Sequence, residues 1–88
     1  MTETHETRLK RIKMRAWHRG MKEMDIILGR FADDRLADLP EARLDLLEAL
    51  MEENDQLLYK WVTGQTPTPP RFVPLIDEIA DHAGARPA

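Results

Sequence analysis

Eighty-eight residues at a net charge of −3, with no cysteine, allow one small domain and exclude disulfides, thiolate nucleophiles and cysteine-ligated zinc together. The charge is divided along the chain: residues 1–22 hold seven basic residues against two acidic ones, while Glu23 onward holds six against fourteen. A basic stripe of this kind meets nucleic acid, anionic lipid, an acidic protein surface, or the acidic helices of its own fold.

The pattern is helical from end to end, and no run alternates with period two. A first helix is predicted over about Thr7 to Arg19, with Leu9, Ile12, Ala16 and Trp17 recurring at spacings of three and four. A second starts near Met21 and carries Met24, Ile27, Leu28 and Phe31, with Gly29 tolerated inside it at a cost. Asp33-Asp34 and Asp38-Leu39-Pro40 mark the next break. Pro40 suits the first position of a third helix, which runs to about Glu53 on a stripe of Leu44, Leu47, Leu50 and Met51. Asn54 or Asp55 caps a short fourth helix holding Leu57, Leu58, Trp61 and Val62, and Gly64 stops it. Gln65 to Pro70, QTPTPP, forms an extended connector, because proline disfavours helix in the residue before it. The last helix covers Phe72 or Val73 to Ala83 and ends at Gly84. The expected architecture is a single all-α domain over residues 1–88, a bundle of about five short helices. Its core holds Phe31, Leu58 and Trp61, and residues 1–6 and 84–88 fray.

Catalytic chemistry has no foothold in this pattern. His5, His18 and His82 share no metal-binding spacing, and no Gly-rich phosphate loop or nucleophile–base pair is present. No catalytic residue, metal ligand or resident cofactor is expected. The apolar stretches are too short to span a bilayer. The opening MTETHETRLK is acidic where a signal peptide would be positive, so the expected compartment is the bacterial cytoplasm or its equivalent. The rival to a protein-binding role is a small nucleic-acid-binding module built on the basic first helix, with Arg8, Lys10, Arg11, Lys13, Arg15 and Arg19 on phosphates. Against it, the remaining chain is acidic. The helix after the corner, MKEMDIILGRF, is also apolar and acidic where a recognition helix should be polar and basic.

The stretch RGMKEMD, residues 19–25, joins the first two helices. Gly20 can end the first helix in the left-handed conformation, with Arg19 at its negative end and Glu23 in the first turn of the next helix. That accounts for the corner with no function attached. Yet Arg19-Gly20-x-x-Glu23 with Met24-Asp25, after a basic helix, resembles the signature of the SdhE/Sdh5 family, small flavinylation and assembly factors of succinate dehydrogenase. The resemblance continues through Leu28-Gly29-Arg30-Phe31-Ala32 and through Leu50-Met51-Glu52, Asn54-Asp55 and Leu58-Tyr59-x-Trp61. It covers roughly Arg8 to Pro69. The chain departs from the family at His18, where many members have arginine, and at Leu57-Leu58, where many have Asp-Leu.

What the resemblance implies is a chaperone-like binding protein and no enzyme. Its partner would be the flavoprotein subunit of succinate dehydrogenase and, in bacteria, that of the related fumarate reductase. FAD would become attached to a histidine of the partner, with no cofactor held by this chain, no nucleic acid bound, no membrane insertion and a monomeric free state. Carried onto this sequence, the partner-binding surface would centre on Arg19, Gly20 and Glu23, with Arg11, Arg15, Met21 and Asp25 around them. Gly20 would let partner backbone approach, while Arg19 and Glu23 would offer a forked donor and an acceptor.

Overall fold

Residues 3–86 are described by a computed structural model. They form five α-helices and no strand: α1 His5–Trp17, α2 Lys22–Arg35, α3 Glu41–Leu50, α4 Asp55–Val62 and α5 Val73–Ala83. Short 3-10 turns at Leu36–Asp38 and Pro70–Phe72 lead out of α2 and into α5. The all-α expectation is met.

Local signals explain most of the boundaries. Thr4 Oγ1 accepts the Thr7 N–H at 3.1 Å and starts α1 two residues before its predicted beginning; α1 then stops at Trp17, short of Arg19. Asn54 Oδ1 accepts the Gln56 N–H at 2.8 Å and opens α4. Gly84 closes α5 at φ +63°, the left-handed stop that glycine adopts most cheaply. Pro40 caps α3 one position before its predicted place, and α3 ends at Leu50 in a turn instead of running on to Glu53.

One expectation is corrected. Asp33-Asp34 does not break α2, which continues through both to Arg35. Both side chains point to solvent and find partners outside the helix, Asp33 in Trp17 and Lys13, Asp34 in His82. Residues near both described ends have partners in the fold. Glu3 pairs with Arg11 at 2.7 Å. Arg86 donates to the carbonyls of Trp61 and Val62 at 2.7 and 3.1 Å, satisfying groups at the end of α4, and to Asp77 at 2.7 Å. Residues 1, 2, 87 and 88 lie outside the described residues.

The core is wholly apolar. Ile12 and Ala16 from α1, Met24, Leu28 and Phe31 from α2, and Leu44, Leu47 and Leu50 from α3 meet Leu58, Trp61 and Val62 from α4 and Leu75, Ile76 and Ile79 from α5. Phe31 and Trp61 are buried as expected, Trp61 with Phe72 at 6.1 Å between ring centroids. Gly29 has a specific reason to be glycine. It is buried in α2, and a Cβ built on it would fall 2.2 to 2.6 Å from ring atoms of Trp17. The two antiparallel helices α1 and α2 therefore close on each other through an indole laid on bare backbone.

Beside this apolar seam runs an ionic one. Arg8 contacts Glu41 at 2.7 Å, Asp45 at 2.6 Å and Glu48 at 2.9 Å, and Arg11 bridges Glu3 and Glu48. Arg15 reaches Glu52 at 3.1 Å. Ascending positions on α1 meet ascending positions on α3, so the two helices run side by side in the same direction. Half-buried Glu48 is the hub. The Arg11 hydrogen bond, helped by Arg8 and opposed by burial, holds its carboxyl below the usual carboxylate range. A depressed folded pKa means the unfolded chain binds the proton more readily. This contribution to stability is therefore complete above the ordinary glutamate value of about 4.3 and is lost as pH falls through the lower folded value. Urea unfolding between pH 6 and pH 2.5 should show an acid loss of stability that is shallower in Glu48→Gln.

Candidate functional site

The corner between α1 and α2 is built by three anchors. Gly20 sits at φ +103°, a conformation L side chains rarely adopt. Asp25, from the first turn of α2, turns one carboxylate oxygen back to the Arg19 and Gly20 N–H groups, the latter at 3.1 Å. The Arg19 side chain leaves the corner altogether. It is only 10 % exposed, and its Nε donates to Asp55 at 2.7 Å, while the guanidinium ends donate to the backbone carbonyls of Met51 and Glu53.

Arg19 is thus a clamp between the α1–α2 corner and the turn joining α3 to α4. In the free chain its donors are taken up within the fold, where the resemblance implied a forked donor for a partner. Arg11 and Arg15 lie along α1 with their guanidinium groups on Glu48 of α3 and on Glu52 just beyond it, and Asp25 holds the corner from within. Met21 caps α2 and packs half-buried against the core. Two of the seven expected site residues remain open to solvent at the corner, Gly20 and Glu23. No atom lies within 4 Å of where a Gly20 Cβ would stand, and Glu23 is exposed.

What the fold adds to them comes from the far side of the clamp. Arg19 draws the start of α4 against the corner, so Asn54, Asp55 and Gln56 face Gly20, Lys22 and Glu23 across a shallow open groove. Lys22, Asn54 and Gln56 were not among the expected site residues. Their signal lay in the Asn54-Asp55 stretch, which reads locally as a helix start and shows its second role only when Arg19 is seen to reach it. The groove offers a glycine without a side chain, the exposed Glu23 carboxylate, one ammonium and amide groups beside the Arg19–Asp55 pair. It suits paired hydrogen bonds with a protein surface. Among the described residues no cluster of three or more His, Asp or Glu is placed to hold a metal ion. Among the described residues no helix is long and apolar enough to cross a membrane.

The basic stripe, by contrast, is largely neutralised within the fold. Arg8, Arg11, Arg15 and Arg19 each face a carboxylate of the chain itself. The nucleic-acid alternative placed those four arginines, with Lys10 and Lys13, on phosphates.

The family model described as "Flavinator of succinate dehydrogenase", Sdh5, matches residues 10–83. The chain is similar to the mitochondrial succinate dehydrogenase assembly factor 2 of Mycosarcoma maydis, 35% identical over 71 residues that make up 81% of this chain and 30% of that protein. It is similar to the FAD assembly factor SdhE of Coxiella burnetii, 36% identical over 69% of this chain and 76% of that one. The SdhE of Acetobacter pasteurianus is 30% identical over 90% of this chain and 73% of that one. The chain spans under a third of the Mycosarcoma protein and about half of several other mitochondrial relatives. No solved structure matches it.

Proposed function

The chain belongs to the Sdh5 family of succinate dehydrogenase flavinators, and from that membership we propose that it binds the flavoprotein subunit of succinate dehydrogenase and promotes covalent attachment of FAD to it. The flavoprotein of fumarate reductase is a second client in this reading. The chain contributes recognition and no reacting group, FAD ends on the partner, and the free protein is a monomer of the bacterial cytoplasm. The observation that supports this best is the corner itself: an open glycine beside an exposed carboxylate, fixed from below by a clamped arginine. Partner backbone can come close at Gly20, Glu23 can accept from a partner donor, and the clamp holds both in place before the encounter.

The test is flavin fluorescence on the denatured flavoprotein, expressed in cells with and without the chain. Gly20→Arg should abolish the dependence on the chain, while Gly20→Ala should retain most of it. Both variants share the backbone strain of the positive φ, so their difference isolates bulk at the surface. Glu23→Ala should weaken binding by about 1–3 kcal/mol, the cost of an unmatched partner donor. Equal fluorescence with Gly20→Arg and Gly20→Ala would show that the partner does not approach at this corner.

A further inference from the structure

The outward face of α1 is neither part of the core nor part of the ionic seam. Met14 is the most exposed of the large apolar side chains among the described residues, at 67 %. With Trp17 it floors an open, mainly apolar depression edged by Lys10, Lys13 and His18. The indole is a preformed plate, since it lies on Gly29 and its Nε1 donates to Asp33 at 3.3 Å. Methionine beside it is unbranched and adapts to whatever it meets.

The rim carries two ammonium groups. Lys10 lies 3.4 Å from Glu6 and Lys13 3.7 Å from Asp33, long contacts between solvent-exposed groups. Pairs of this kind hold their partners weakly and exchange them readily. The arginines one face round are instead committed to α3. Two exposed ammonium groups, each only loosely paired with a carboxylate of the chain, therefore stand beside the most exposed large apolar side chain among the described residues.

We propose that this face is a second arm of the docking surface, and that its occupant is a segment of the flavoprotein client bearing an apolar side chain flanked by carboxylates. The inference rests on the function proposed above, because the depression ends at His18, two residues before Gly20, and so continues the corner. The apolar side chain would lie over Met14 against the indole, and the carboxylates would meet Lys10 and Lys13. Complementary charge of this kind orients the encounter as well as holding it.

The experiment is calorimetric titration of the purified flavoprotein subunit of succinate dehydrogenase with the full chain and three variants. Met14→Glu should lose about tenfold or more in affinity, as should the double variant Lys10→Glu/Lys13→Glu, while Met14→Leu should bind like the parent. Met14, Lys10 and Lys13 are exposed, so their melting temperatures should match the parent's. Parental binding with all variants equal to it overturns this inference and leaves the proposed function standing. No binding by the parent overturns both. If Met14→Glu instead converts a dimer of the chain alone to monomer in sedimentation, the occupant is a second copy and the client assignment falls.

Discussion

Replacing Arg19 by methionine should destabilise the isolated protein by about 3–5 kcal/mol, measured by urea unfolding with no partner present. Methionine keeps much of the length and the apolar stem but removes the charge and every donor. Asp55, whose side chain is 18 % exposed, would be left as a nearly buried carboxylate without its cation, and the carbonyls of Met51 and Glu53 would lose their donors. Leaving such groups unmatched is what makes removal of one partner so costly. Native domains are stable by only about 5–15 kcal/mol, so the variant should hold little of its structure in reserve. Arg19→Lys should recover part of the loss, because an ammonium restores the charge to Asp55 but cannot fork to both carbonyls. The competing view is that Arg19 works at the surface. It requires Arg19→Met to melt like the parent while losing flavinylation, and that result would remove the clamp from the account.

Gly29→Ala should lower stability by about 1–3 kcal/mol, against the intuition that alanine improves a helix. Two effects compete. Helix propensity alone favours alanine over glycine by about 1 kcal/mol. The new methyl, however, would stand 2.2 to 2.6 Å from the middle of the Trp17 ring, so the ring must swing away or α1 must lift from α2. A rigid ring anchored to Asp33 cannot yield as the tip of a flexible chain would, and overpacking outweighs propensity. For a domain of this size each kcal/mol corresponds to about 4–8 °C in melting temperature, so the loss is easily read. In a double-mutant cycle, Trp17→Ala should turn Gly29→Ala from destabilising to stabilising. A higher melting temperature for Gly29→Ala in the parent would mean that the indole does not rest on the helix backbone.

Both residues mark the boundary of what the sequence reveals. Helix starts and stops were legible where one residue decides them, as at Asn54 and Gly84, because those hydrogen bonds close within a few positions. The core was legible from spacing, since Leu44, Leu47 and Leu50 or Ile76 and Ile79 recur on one side of their helices. Asp33-Asp34 misled because aspartate favours breaks locally, whereas here the two carboxylates serve Trp17 and His82 from positions 16 and 48 residues away. The corner stood out by its motif, and in the fold Gly20 and Glu23 are open to solvent there. The role of Arg19 was hidden because its partners lie 32 to 36 residues on, and nothing in its neighbours says whether a guanidinium points outward or inward. Gly29 looked like a tolerated cost for the same reason.

The ionic seam between α1 and α3 has a further consequence, which concerns address more than strength. Its cations and carboxylates recur every three or four residues on both helices, so a slide by one helical turn would bring most charges opposite new partners of the right sign. A ladder of equivalent rungs attracts without saying where to stop. The Arg19 contacts have no such equivalents, since the carbonyls of Met51 and Glu53 are freed only where α3 ends. The seam draws the two helices together, and the clamp at its end fixes the registration.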